Sequence, residues 1–257
     1  MTMSTVMTNS GRTMIESTLE FQPADLRTIV AALCTLPGVL RPTHHRLGEG
    51  EPSKPIIDTQ EYLGSLTEVG LGPLLTGKLV KYAIGYFDGF VGSERIKSRS
   101  ITCDCSLEVE PSVGKTFMMH MAVAQPAFGF ACAPGERLHR NRVTVRQGPN
   151  TIESWVGRDF RRYIPGFYWL TLMPKELAER HQVPLSEVEA VAIKHVELEG
   201  DQHLFRFYER PEDWQSETRV DKLCSSLSGV FDVEKVKPQL AEASTFLELH
   251  TLLRTWK

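Results

Sequence analysis

The side chains of this chain that could bind a metal ion are its cysteines and histidines. Cys103 and Cys105 have the spacing of half a metal site, and His44 and His45 are adjacent. The two cysteines alternate with polar residues on one face of a predicted strand, together with Ile101, and no second pair has metal-site spacing. We therefore predict buried thiols, an exposed histidine pair, and neither a metal nor another cofactor.

The chain lacks the usual sequence motifs for nucleophilic catalysis and for phosphate binding. The chain has no G-x-S-x-G, G-x-x-x-x-G-K-[ST] or H-E-x-x-H motif, and no G-x-G-x-x-G after a strand. Ser65, Ser93 and Ser154 have no recognisable base arranged with them in sequence. These observations predict that the protein is not an enzyme. Because a triad can be assembled from distant residues, a hydrolase with a dispersed serine or cysteine site is the alternative.

A basic cluster in the middle of the chain could bind phosphate groups. The neighbouring acids Glu136, Glu153 and Asp159 favour ion pairs or a solvated face instead, with a turn and short strand at residues 138–148. The net charge of -3 also argues against a basic nucleic-acid-binding face. We predict no nucleic-acid binding. The cluster consists of Arg137, His139, Arg140, Arg142, Arg146, Arg158, Arg161 and Arg162.

Acidic residues concentrate around one aromatic side chain in the C-terminal half. Glu199, Glu209, Glu212 and Asp213 lie near Trp214 in the sequence. One interpretation is a solvated helix N-terminus, where carboxylates interact favourably with the helix dipole. The other is an acidic surface with an aromatic anchor that meets a basic protein by charge complementarity. We take these residues as the candidate partner-binding site.

Composition is that of an ordinary globular protein. The chain has 257 residues, 41% hydrophobic and 24% charged, which is enough for a sizeable core. No run approaches the ~20 apolar residues of a membrane span. Five cysteines in apolar patterns indicate free thiols in a reducing compartment, so we predict a cytoplasmic protein. Residues 1–13 are rich in Thr, Ser and Met without an apolar signal region, and we expect them to be disordered.

The longest apolar and aromatic stretch, residues 164–177, predicts the central strand of the fold. It reads I-P-G-F-Y-W-L-T-L-M-P-K-E-L, and its two apolar faces are typical of a strand covered on both sides. Pro174 has no backbone N–H, and an N–H at the first position of a helix would have no partner within the helix. We therefore expect a helix to begin at Pro174.

Other segments follow the period of their apolar residues. Residues 14–21 predict a strand, and residues 23–36 an amphipathic helix that begins at the proline. Alternation over residues 101–109 predicts a strand, with residues 117–123 as its antiparallel return. Residues 79–91 fit a helical stripe despite two glycines. The C-terminal predictions are a helix and two strands within residues 184–208, a helix from Pro211, an extended segment at 230–236 and a helix at 239–254.

Two parts of the chain resemble each other. Residues 20–39 and 208–230 each run from a strand through a Pro-x-Asp helix start to Leu-Cys and a Gly-Val exit. The resemblance could reflect duplication of one unit. The alternative is that strand–helix junctions in general use the same proline, aspartate and glycine signals. The predicted fold class is α+β, with antiparallel sheets and helices packed on their faces. We expect a single compact body of residues 14–257, and we hypothesise two related ferredoxin-like (βαββαβ) halves, residues 14–150 and 151–257.

Residues 161–181, R-R-Y-I-P-G-F-Y-W-L-T-L-M-P-K-E-L-A-E-R-H, and residues 207–214, F-Y-E-R-P-E-D-W, carry a family resemblance. This part of the chain resembles bacterial type VI secretion immunity proteins of the group paired with restriction-endonuclease-like (Tox-REase) toxins. The resemblance implies a cytoplasmic, non-enzymatic toxin inhibitor that binds a cognate nuclease effector and protects the producing cell. It supplies no site residue. A small-molecule-binding or scaffold protein, marked by an apolar cavity between the halves, is a further alternative.

Overall fold

Up to residue 132, the chain contains seven strands and three helices among its described residues. The structure, a computed structural model, describes residues 14–22, 25–48, 50–67, 70, 72–91, 94–105 and 109–256. The predictions for residues 1–13, Pro23 and Ser93 lie outside these ranges. The elements are β1 (Glu16–Phe21), α1 (Leu26–Cys34), β2 (His44–Arg46), β3 (Lys54–Pro55), α2 (Thr59–Ser65), β4 (Leu74–Thr76), β5 (Val80–Val91), β6 (Glu94–Cys105), α3 (Pro111–Met121) and β7 (Phe128–Cys132).

The rest of the chain adds a small separate hairpin, three strands of the large sheet and six helices. The chain continues from β7 into a helix whose Arg140 is buried. The elements are α4 (Pro134–Asn141), β8 (Arg142–Gln147), β9 (Asn150–Trp155), β10 (Leu170–Pro174), α5 (Lys175–Arg180), α6 (Leu185–Val191), β11 (Lys194–Leu198), β12 (Gln202–Arg206), α7 (Arg219–Ser226), α8 (Val233–Glu242) and α9 (Phe246–Thr255).

One ten-stranded sheet organises the molecule, and the predicted α+β class is confirmed. Its order is β11-β12-β10-β7-β1-β6-β5-β4-β2-β3, and β8 and β9 form a separate two-stranded sheet. Every pairing between these named strands is antiparallel. In the described part of the chain, no helix has both the length and the apolar character needed to cross a bilayer.

The two halves use the same strand order on either side of β7. In the first half β6 lies between β1 and β5, and in the second half β12 lies between β10 and β11. In each half a helix follows the first of these strands, which is the split βαβ arrangement. β7 pairs antiparallel with both β1 and β10. Duplication of a ferredoxin-like unit stays a prediction, and the strand order is compatible with it.

The stretch at residues 164–177 is buried at the centre, although its strand is shorter than predicted. β10 begins only at Leu170, and Tyr168 and Trp169 lie buried in the irregular segment before it. Neighbours β7 and β12 on both sides make β10 a central strand. Pro174 caps α5, so the helix begins one residue later than expected. A Cβ on Gly114 of α3 would lie 2.9 Å from Trp169 Cζ3, so this close packing requires glycine.

The predicted helix at residues 79–91 is wrong, because this segment is strand β5. Its period is two: Val80, Tyr82 and Ile84 are buried, whereas Lys81 and Ala83 are exposed. The short apolar stretch fits both periods, and pairing with the whole length of β6 selects the strand. The glycines that weaken a helix are tolerated here.

The predicted return strand at residues 117–123 is also wrong. Pro111 lies in the first turn of α3, which places Phe117, Met118 and Met121 in the core on one side of a helix. The strand predicted at 101–109 is confirmed for its first five residues as the end of β6, and its hairpin partner is β5 instead. One predicted strand face is exposed and the other buried, as expected.

The C-terminal segment folds into two helices and a second core. Residues 230–236 are not extended as predicted, because Asp232 caps α8 by accepting a hydrogen bond from the Glu234 N–H at 2.9 Å. The single predicted helix at residues 239–254 is interrupted, since Thr245 and Glu248 form a capping box that starts α9. The core beneath these helices contains Val143, Val156, Tyr163, Phe231, Val233, Val236, Leu240, Leu249 and Leu253.

Candidate functional site

Most residues of the basic cluster predicted from the sequence form ion pairs within the protein. Arg140 is only 7% exposed, so its prediction as part of a solvated turn is wrong. Its guanidinium donates to Glu136 Oε1 at 3.1 Å, to Asp221 Oδ1 at 2.8 Å and to the Tyr208 hydroxyl at 2.8 Å. Burial raises the pKa of Glu136 to about 7, while Arg140 and the Trp169 N–H lower it. Because every charge meets a partner, this network has a structural role.

Two further arginines of the cluster pair with local acids named in the sequence prediction, and a third pairs with Glu16. Arg142 bonds Glu153, and Arg161 Nε lies 2.6 Å from Asp159 Oδ1. Arg137 lies 3.4 Å from Glu16 and stacks over the Trp155 ring at 4.8 Å. A guanidinium engaged in such a pair is less available for phosphate.

The cysteines and histidines lie mostly as predicted. All five cysteines are buried free thiols, as expected for core residues. His44 is exposed, whereas His45 is half-buried and contacts the Tyr62 ring with centroids 4.3 Å apart. Burial raises the pKa of Cys34, which disfavours its reactive thiolate form.

The strongest catalytic grouping among the described residues is incomplete. His139 Nε2 lies 3.7 Å from Asp221, beside a cavity of about 220 Å³ that Ser225 also lines. The Ser225 hydroxyl donates to Asp232, and the His139 ring packs against Trp214 at 5.2 Å. Ser225 is therefore not hydrogen-bonded to the histidine that would activate it.

The five predicted partner-binding residues lie at opposite ends of β12. Glu199 is in the turn before it, and Glu209 to Trp214 follow its other end, separated by a five-residue strand that spans ~17 Å. Asp213 accepts the Arg210 N–H at 2.9 Å, and Glu209 lies 3.2 Å from Arg206. Glu212 lies 4.0 Å from Arg210.

Trp214 packs inward more than an interface anchor would. A Cβ on Gly135 would lie 3.0 Å from Trp214 Cζ2, so the indole rests directly on the α4 backbone. The side chain is half-buried and contacts the main core. The acidic group therefore forms a continuous surface only from Glu209 to Asp213.

A cleft of about 950 Å³ lies between the halves. Gln125 and Pro126 line it from the first half, and Arg161, Lys175 and Asp201 from the second. Its lining is strongly charged, so it is not the apolar cavity that would mark a small-molecule-binding or scaffold protein.

One face of β5 and β6, which we call the open face, consists of exposed and half-buried side chains. Alternate residues of the two strands point to it, and register pairs Lys81 with Asp104, Ala83 with Thr102, and Gly85 with Ser100. The other face of the same strands packs on the core. The open face consists of Lys81, Ala83, Gly85, Phe87, Ser98, Ser100, Thr102 and Asp104.

The open face continues onto a projecting ribbon, residues 87–91 and 94–98, which we call the arm. β1 pairs with β6 only as far as Arg99, and β4 pairs with β5 only as far as Ala83. No other described strand pairs with the five residue pairs beyond, which extend ~17 Å. Arg95 binds Asp88 through two hydrogen bonds, at 2.8 and 3.0 Å, and this bidentate pair stiffens the arm.

Glu20 of β1 borders the open face, opposite Ser100. Burial raises the pKa of Glu20 to about 7, although Arg158, Arg161 and Arg137 lower it. Thr18, the neighbouring residue on the same face, is 8% exposed, and its hydroxyl has no hydrogen-bond partner among the described atoms.

Comparisons with family models, curated proteins and solved structures give no match for this chain. The open face and the arm are absent from the predicted sites, because residues 79–91 were expected to form a helix. The available signal was the alternation of Val80, Tyr82 and Ile84 with polar or small residues, which continues into the alternation at residues 101–105.

Proposed function

We propose that this chain is an immunity protein that binds and neutralises a nuclease effector of type VI secretion, protecting the producing cell. The observation that carries the proposal is the arm with its adjoining open face. The resemblance of residues 161–181 to the immunity family gives the nature of the partner. The proposed partner-binding residues now include the arm, with Glu199, Glu209, Glu212, Asp213 and Trp214 as the competing surface.

The arm has the physical properties of a protein-binding element. A ribbon with unpaired backbone edges exposes N–H and C=O groups that another strand or loop can bind. Phe87 is 45% exposed and offers an apolar anchor next to the hydroxyls of Ser98 and Ser100. The Asp88–Arg95 pair links the two strands of the ribbon, which favours the ordered hairpin and lowers the entropy cost of binding.

We infer inhibition by occlusion, in which the arm enters the substrate cleft of the nuclease and excludes nucleic acid. This mechanism requires stoichiometric binding and no turnover. It is favoured over a dispersed hydrolase site because Ser225 bonds Asp232 and the Arg140 network is closed by its own charges.

Coexpression tests the proposal. The nuclease encoded beside this chain should arrest growth when expressed alone, and coexpression of this chain should restore growth and give a complex that copurifies. Growth arrest that the chain does not relieve, with both proteins present at equal levels, would contradict the pairing.

The two candidate surfaces are distinguished by matched variants. Phe87→Asp with Ala83→Arg should weaken the complex by at least ~30-fold, the effect of losing a hot spot of about 2 kcal/mol. Glu209→Lys with Glu212→Lys should change the dissociation constant by less than about threefold, once the slower association caused by the loss of charge steering is allowed for. The reverse order, measured by calorimetry on variants with unchanged melting temperature, would assign binding to the acidic surface.

A further inference from the structure

The β11–β12 hairpin brings together two histidines that the sequence leaves apart. His195 and Glu197 share one face of β11, and His203 is directly opposite Glu197 on β12. His195 Nε2 lies 2.9 Å from His203 Nδ1. One ligand atom from each of these three side chains lies within 4.8 Å of the other two. Metal-site spacing within a single short motif does not reveal this pair, because the two histidines lie on different strands.

We propose that His195, Glu197 and His203 bind one divalent transition-metal ion, with Zn²⁺ the best fit to the donor set. Two imidazoles and one carboxylate are a common zinc ligand set, and three protein ligands leave one position open. Imidazole donors disfavour Mg²⁺ and Ca²⁺, which prefer oxygen ligands.

The ligand atoms are nearly in place. With zinc–nitrogen distances of ~2.05 Å and a tetrahedral angle, two coordinated nitrogens are about 3.3 Å apart. The observed separation of 2.9 Å is that of a hydrogen bond between the rings. Side-chain rotation can open this separation by about 0.4 Å. The proton between the rings leaves by exchange with water, either to solvent or to the other ring nitrogen of His203, so that both facing nitrogens can coordinate.

A fourth side chain orients His195 for this role. Glu189 Oε1 lies 3.3 Å from His195 Nδ1, and the nearby carboxylate favours a proton on Nδ1, which leaves Nε2 as the nitrogen that can bind the metal. A histidine that binds a metal commonly donates its other ring N–H to a carboxylate, a backbone carbonyl or water. The Phe205 ring stacks on His195 with centroids 4.6 Å apart and fixes the plane of the imidazole.

The surroundings favour a cation and leave room for a further ligand. A cavity of about 300 Å³ adjoins the group, and Glu189, Glu197 and Asp201 line it. Lys175, the one lysine that the described residues contribute to its lining, lies 3.5 Å from Glu179, which offsets its charge. The open position can therefore hold water or a side chain from a partner.

Calorimetry with ZnCl₂ on the chelator-treated full chain tests the site. We expect one ion per chain, and tetrahedral visible absorption when Co²⁺ replaces Zn²⁺. Glu189→Gln, which removes only the orienting carboxylate, should weaken binding by ~10–100-fold. His195→Gln with Glu197→Gln should abolish the one-to-one binding and the Co²⁺ spectrum.

The paired residues His44 and His45 provide the control. His44→Gln with His45→Gln should leave stoichiometry and affinity unchanged. Failure of the native chain to bind Zn²⁺ at micromolar concentrations, or loss of binding only in the His44/His45 variant, would overturn the proposal. A folded hairpin in each variant, checked by melting temperature, ensures that loss of binding reports the ligands and not unfolding.

Discussion

Arg140 shows how one residue joins the two halves. It lies on α4, and its guanidinium reaches Tyr208 and Asp221 of the second half while it holds Glu136 on its own helix. Arg140→Met leaves the Glu136 carboxylate buried without its cationic partner. We expect the free energy of unfolding to fall by about 3–5 kcal/mol, measured by urea denaturation.

An exposed pair on α5 is the matched control for this prediction. Arg180 and Glu176 have the same (i, i+4) spacing but are 48% and 78% exposed. Arg180→Met should cost less than about 0.5 kcal/mol. Adding Glu136→Gln to Arg140→Met should recover part of the loss, because the buried charge is removed. Equal effects of the two arginine substitutions would show that burial does not determine the strength of the Arg140 pair.

Glu20 predicts a pH dependence of stability. Burial raises its pKa from the ordinary value of 4.5 to about 7 in the folded state, so near neutral pH the folded protein holds a proton that the unfolded chain releases. The free energy of unfolding therefore falls as pH rises through this window. Relative to wild type, Glu20→Gln should be stabilised by roughly 1–3 kcal/mol at pH 8 and unchanged near pH 4.

Glu248 gives the opposite sign and serves as the comparison. Hydrogen bonds from Ser244 and Thr245 lower the pKa of its carboxyl, so its contribution is present at neutral pH and lost as pH falls. Glu248→Gln should destabilise the protein at pH 7 and have less effect at low pH. The free energy of unfolding of both variants is measured by urea titration at several pH values. If Glu20→Gln showed the same pH dependence as Glu248→Gln, the raised pKa of Glu20 would be refuted.

At the scale of elements, the sequence correctly predicts the helices and strands whose apolar period and end signals indicate the same type of element. The stripe of α1, capped by Asp25, and the β11–β12 hairpin were both predictable, since local signals are sufficient there. β5 was not, because its apolar residues fit two periods and the choice depends on pairing with β6. The arm contains the end of β5, so the same choice between helix and strand applies to it. A site on the arm therefore cannot be predicted from local sequence patterns.

The same limit applies to the acidic residues and to the histidines. Charge clustering located Glu209 to Asp213 on a surface, but it did not reveal that Trp214 packs on α4. His195 and His203 are eight residues apart, and only the register of the hairpin makes them neighbours. Sites that arise from strand register need the fold before they can be recognised.

At the scale of the whole molecule, β7 is the strand on which both halves depend. It is bordered by β1 on one side and β10 on the other, and all five of its residues are buried. The strand sets β1-β6-β5 and β10-β12-β11 therefore extend in opposite directions from a single shared neighbour. The second half has no fourth strand of its own beside β10 among the described residues.

This arrangement predicts that the halves cannot fold separately. A fragment of residues 151–257 lacks β7, so β10 becomes an apolar edge, and Tyr208 and Asp221 lose Arg140. We expect each fragment alone to be unfolded or aggregated by circular dichroism and NMR, and the coexpressed pair to copurify with native-like spectra. A dispersed NMR spectrum from residues 151–257 alone would instead establish that half as an independent domain, because its strands would then be stable without the first half.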